Sequence, residues 1–403
     1  MIDLRMDRRR VLTSFGLIGF SGCLRIQEES EDIREDAGAG GDDRPSEEDD
    51  DRAADDSSDG NADEQALELS RAWDPPINPR MRSGDLIVGL SHHPERHLEL
   101  VSSGGSAEWE SDPLDEAYGF RNDGGDRIAI SESYVCYGSR KHEELDHAKL
   151  YCFSRDTGEL LWTHRTEDGP RDIRIDYVTL GDGRVYYATG TDAGSSDEQD
   201  PFVRALDAAS GELAWETSYQ IAAYRGLLYH EGDLYARGNR LRILNPETGS
   251  ERASHRFGTG IGGFVEFDDT LYGISGDVYA FDLSSNEPEY THPVDRRPDS
   301  RIAVTDRYLY AGDDNGWLDA YDRRTGEREW ETRLTSRVRD RPAVVADHVW
   351  VVDNEDIVYG LDTETGDVVY ESQEERTCCP VGIDDVLLLM VEGRPRAYRV
   401  ESR

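Results

Sequence analysis

Lysine, cysteine and long apolar runs are scarce in this sequence. Of its 45 cationic side chains only Lys141 and Lys149 are lysines, and 86 acidic residues outnumber them all, for a formal charge of −41. No basic stripe exists to displace counterions from phosphate, so nucleic-acid binding is disfavoured as a function class. An acidic surface this dense repels itself in dilute buffer and is tolerated where molar salt shortens the screening length to about 3 Å. No run reaches the roughly 20 apolar residues of a membrane-spanning helix. An apolar period of 3.6 residues is also missing, which excludes leucine-rich and helical repeats. So are a GxSxG nucleophile elbow, an HExxH pair and a phosphate-cradling glycine loop. Catalysis by residues drawn together from distant parts of the chain stays open.

The first 23 residues, MIDLRMDRRRVLTSFGLIGFSGC, read as a targeting segment. Arg8 and Arg9 before Val11-Leu12 resemble the twin-arginine export signal, which carries proteins already folded. Phe20-Ser21-Gly22-Cys23 resembles a lipobox, in which Cys23 is lipidated after cleavage; the alternative is a cleaved signal with an incidental cysteine. Residues 24–64 hold 18 acidic residues, four arginines and no aromatics. Such a segment cannot bury enough apolar surface to offset the entropy of ordering it, so it is expected to be a disordered tether. It reaches at most about 140 Å extended and averages about 35 Å as a coil. The arginine-rich, acidic usage resembles that of haloarchaeal proteins. Export to the outer face of the cytoplasmic membrane, with anchoring through Cys23, is the expected location.

From residue 65 to 403 one pattern recurs every 37 to 53 residues. Aligned on a turn residue it gives Gly105, Gly158, Gly211, Gly249, Asn286, Gly326 and Gly366. Four positions later stand Trp109, Trp162, Trp215, Ala253, Tyr290, Trp330 and Tyr370. Gly or Asn suits a positive φ, and the Asp or Asn ahead of it bonds the turn backbone. The aromatic then anchors neighbouring units. Short β-branched and aromatic runs precede each turn, so the unit is a four-stranded antiparallel propeller blade. Eight middle-strand pairs are countable, the last ending at 396–400 without an outer strand. The segment 66–73, ending in Trp73, is expected to supply it and close the ring. A seven-bladed ring with an irregular first unit is the alternative.

The motif AxDxxTGxxxW, carried by Asp207, Asp322 and Asp362 with their Thr/Ser-Gly turns, resembles the pyrroloquinoline quinone (PQQ) repeat family. That resemblance implies an all-β, eight-bladed propeller with tryptophan docking. It implies either of two roles: a lipoprotein working through protein contacts, or a dehydrogenase of alcohols or sugars holding PQQ and calcium. In the second, the cofactor lies between a tryptophan and a disulfide of adjacent cysteines, for which Cys378-Cys379 is the candidate. The same pair also reads as small residues at a strand entry, or as a structural disulfide. No catalytic aspartate or calcium ligand is assignable by motif, so the scaffold role without cofactor is favoured.

Cys136 and Cys152 fall on successive strands, opposite or one register step apart; a disulfide and two buried thiols are both compatible. The connections 90–97, 138–147 and 189–200 are long and sit between second and third strands, hence on one face. His92, His93, His97, His142 and His147 with nearby carboxylates form a candidate partner rim there. Solvated insertions are the bland reading, and a metal site is conceivable, though no ligand set is assigned. Asp313-Asp314-Asn315-Gly316 and 353–356 look calcium-like but fall at hairpin turns, where these residue types are expected.

Overall fold

The structure, a computed structural model, describes residues 67–402 apart from 74–76, 84–85, 92–96, 103–104, 115–126, 140–147, 167–173, 191–200, 220–223, 258–263, 275, 297–301, 339, 374–375 and 393. These residues form eight four-stranded antiparallel sheets. The first strands of successive sheets adjoin, as in Arg174–Gly181 beside Gly226–His230 and Ala343–Val345 beside Thr377–Ile383. The result is an eight-bladed propeller, and the seven-bladed alternative is excluded. The blades run 77–110, 128–165, 174–218, 226–255, 264–293, 303–333, 343–373, and 377–402 completed by Leu67–Trp73.

The ring closes as the sequence requires. Leu67–Trp73 pairs antiparallel with Arg394–Ser402, joining Leu67 to Ser402, Leu69 to Val400, Arg71 to Tyr398 and Trp73 to Ala397. Among the described residues no helix is long and apolar enough to cross a membrane.

Position in the blade decides composition. Second strands are covered on both faces by neighbouring blades, so His348–Val352 (HVWVV) is buried beyond its first residue. Fourth strands face solvent on one side, so Arg328–Arg333 (REWETR) alternates exposed and half-buried residues around Trp330. Hairpins between first and second strands are tight turns, and in blades three, four, five and seven both central residues have positive φ, as at Asp182-Gly183, Asp268-Asp269 and Ala346-Asp347.

The third-to-fourth-strand turns join one blade to the next. Asp207 Oδ1 accepts from the Ala209 and Ser210 amides, and Asp322 and Asp362 do the same in their own turns. Gly249 (φ +71) shows why glycine follows: a Cβ there would stand 2.6 Å from the Trp215 ring of the preceding blade. The Trp215 indole donates onward to Pro246 O at 2.8 Å, Trp162 to Ala208 O at 2.9 Å and Trp330 to Thr363 O at 3.1 Å. Tyr290 docks likewise, its hydroxyl donating to Arg323 O at 2.9 Å.

Antiparallel pairing puts first–second hairpins and these docking turns on one face, and second–third hairpins on the other. The chain enters Leu67 beside Ser402, at the docking-turn edge.

Candidate functional site

Cys378 and Cys379 lie on the first strand of blade eight, at a bulge in its pairing, and are joined as a disulfide with Cα atoms 3.7 Å apart. Cys379 has φ +66, and its amide donates to Asp340 Oδ2 at 2.9 Å. Asp340, 7% exposed, belongs to the segment leading into blade seven, so the pair ties two neighbouring inner strands together. A quinone sandwich also needs an indole facing the disulfide, and the sequence has seven tryptophans. Five of them, Trp73, Trp109, Trp162, Trp215 and Trp330, are docked on turn glycines. Trp350 is fully buried with Val345, Val358 and Leu387. Trp317 lies under the guanidinium of Arg296, 4.0 Å from its centroid, and that of Arg333. With every indole committed elsewhere, these residues do not fit the sandwich. The calcium-like clusters are also committed, since Asp313 Oδ1 accepts from the Asn315 and Trp317 amides and Asp353 Oδ1 from those of Glu355 and Ile357.

Cys136 and Cys152 stand directly opposite on the second and third strands of blade two, 4.2 Å between Cα atoms, and form a second disulfide. Both are fully buried. Of the two readings left open by spacing, the structure takes the bonded one.

The rim histidines divide. His92, His93, His142 and His147 lie outside the described residues, as do Cys23, Arg8 and Arg9. His97 is 7% exposed, its Nε2 2.9 Å from Glu99 Oε1 and 3.1 Å from Glu110 Oε1. Glu99 and Glu110 face each other across the strand pair, where like charges repel. The imidazole between them bridges the two, so His97 is buried between carboxylates and is not presented on the surface.

Sequence reading passed over a second buried charge. Asp319, 1% exposed on the third strand of blade six, has Arg296 Nη1 at 3.1 Å and receives a hydrogen bond from the Tyr321 hydroxyl at 3.2 Å. Burial pushes its carboxyl up to about 6 from the ordinary 3.8, against the pull of Arg296 and Arg328. The folded chain thus keeps this proton where the unfolded chain has released it. Stability from Asp319 is complete below about pH 4 and falls as pH rises through about 6. Asp319→Asn should lose that slope: across pH 4 to 7 the wild type should fall by up to about 3 kcal/mol relative to the variant in denaturant titrations. Parallel curves for the two proteins would refute the assignment.

A closed ring whose blades are locked by aromatic rings on positive-φ turns belongs to the class of PQQ-repeat propellers. Within that class, residues 95–264 and 274–393 match the family described as outer membrane protein assembly factor BamB, and the chain belongs to it. A curated relative, the assembly factor BamB of Burkholderia pseudomallei (strain K96243), is 23% identical over 222 residues, 55% of this chain and 50% of the relative. The match thus spans about half that relative's length. Among solved structures, BamB from Moraxella catarrhalis superposes with a TM-score of 0.60 at 17% identity, over 82% of this chain and 100% of that one. A europium-containing methanol dehydrogenase gives 0.59 at 12%, over 81% and 84%. At such identities the likeness is one of fold, and one fold serves differently named proteins.

Proposed function

We propose that this protein is an exported propeller, lipid-anchored through Cys23 at the outer face of the cytoplasmic membrane, that holds protein partners on the face opposite its docking turns. The observation that carries the reading is the entry of the chain beside Ser402. A tether arriving there leaves the docking-turn face toward the membrane and the second–third hairpins outward. The three longest of those connections, in blades one to three, share that outward face. The name of the family, an assembly factor, agrees with a role exercised through protein contacts. Strong negative charge favours partners with basic surfaces and makes their association salt-dependent.

The test replaces 140–147 and 191–200 by short Gly-Asn turns in the full-length protein and compares co-purified partners at high salt. Loss of partners with an unchanged melting temperature is the expected result, and an unaltered partner set would refute the rim. In the same strain Cys23→Ser should move the protein from membrane to soluble fraction. The competing dehydrogenase reading predicts a visible quinone spectrum and alcohol or sugar turnover after adding PQQ and calcium. Saturable turnover of that kind would displace the scaffold role.

A further inference from the structure

The seam between blades four and five lacks the ring-on-glycine lock found at six of the other seams. Ala253 occupies the docking position on blade four, and Asn286 (φ +59) stands where the next turn would carry glycine. Polar contacts replace the missing ring: the Tyr235 hydroxyl donates to Asn286 Oδ1 at 2.7 Å, and Asn286 Nδ2 donates to Asp233 Oδ2 at 3.1 Å.

At the inner edge of this same seam three ligand-type side chains converge. His230 ends the first strand of blade four, Glu266 lies on the first strand of blade five, and Asp269 belongs to the hairpin that follows. One ligand atom from each lies within 4.8 Å of the other two. His230 Nε2 is shut off from solvent without a hydrogen-bond partner, 3.5 Å from Asp269 Oδ1. Glu266 is 8% exposed.

Repeat register shows that this carboxylate is out of place. The residue one pair back from the hairpin is Arg82, Ile130, Leu180, Tyr229, Val304, Val344 or Gly382 in the other seven blades, none of them a carboxylate. Tyr229 shows where such a side chain goes, since it packs over Gly181 in the inner hairpin of the blade before. Glu266 reaches blade four in the same way and meets His230. An uncharged residue would serve packing there, so a buried carboxyl needs a different reason.

We propose that His230, Glu266 and Asp269 form a divalent transition-metal site of the zinc class that staples blade four to blade five. One imidazole and two carboxylates match the nitrogen and oxygen donors of such ions, and two negative charges offset the ion's own. Bonds of about 2.1 Å put tetrahedral ligand atoms about 3.4 Å apart, so small rotamer shifts close the site. The fourth position faces the half-exposed Asp269 side and is left for water. The ion would bind the folded ring and so stabilise it by linkage.

The experiment uses full-length protein, stripped with chelator at high salt and titrated with zinc by calorimetry, with cobalt as a spectroscopic probe. One saturable equivalent is expected, with a raised melting temperature and a cobalt ligand-field band. Glu266→Gln and His230→Ala should each weaken binding at least tenfold and abolish the melting shift. His97→Ala, which disrupts the other imidazole–carboxylate cluster, should leave both intact. If a core variant does not fold, Asp269→Asn, at a side chain 56% exposed, gives the same readout. Absence of saturable binding, or binding equal in wild type and Asp269→Asn, as from adventitious zinc on the acidic surface only, would overturn the site.

Discussion

Removing residues 66–73 should open the ring and cost the protein most of its stability. The deleted strand carries six register pairs with Arg394–Ser402, and two of its side chains reach past its own sheet. Leu67, 8% exposed, joins the core between blades seven and eight. The Trp73 ring covers Gly105 of blade one, where a Cβ would come within 2.9 Å. Loss of that one tryptophan is worth about 3 kcal/mol on the scale of large-to-small core changes, and the ladder and Leu67 add to it. Against a total of about 5–15 kcal/mol for a domain, little would remain. The bared edge of Arg394–Ser402 would then invite pairing between molecules. Denaturant melts and size-exclusion profiles at high salt should show a collapsed midpoint and soluble oligomers. A synthetic peptide spanning 66–74 should restore the monomer. A deletion variant that melts like wild type would show that closure adds nothing.

The repeat was legible because one steric requirement writes itself into each blade. A positive-φ turn under an aromatic ring demands glycine, so turn and ring mark six of the eight seams, and counting them together with the strand pairs gives the topology. Closure followed from a tryptophan, Trp73, with no turn of its own. The candidate sites were far less legible. Cys136 and Cys152 needed the register, which a sequence does not state; the structure supplies it. His97 resembled the other rim histidines in sequence, yet it faces Glu99 and Glu110. Glu266 and Asp319 sit in strands whose neighbours are apolar, FVEF and WLDAYD, and that mismatch was the available signal. Its meaning depends on which blade the side chain meets, and contacts between repeats are not written in any single repeat.

Trp215→Ala should be the most damaging single substitution away from the closure. The ring is 9% exposed, lies against Gly249 and donates to Pro246 O at 2.8 Å. It also packs on Tyr186 with centroids 6.0 Å apart. Truncation removes a large apolar body and leaves a carbonyl without its donor, so a loss of about 3–5 kcal/mol is expected. Gly249→Val attacks the same joint from the other side. Its φ of +71 is unfavourable for a β-branched residue, and its Cβ would collide with the ring. Combining the two changes should cost less than their sum, because once the indole is gone the valine meets only a gap, and a coupling of about 1–3 kcal/mol should appear in a double-mutant cycle. Seam four–five provides the control: Ala253→Gly removes no docked ring and should cost about 1 kcal/mol or less. The comparison separates docking from general strand packing. Equal losses at Trp215 and Ala253, or strict additivity of Trp215→Ala with Gly249→Val, would mean that the ring-on-turn contact does not lock the blades.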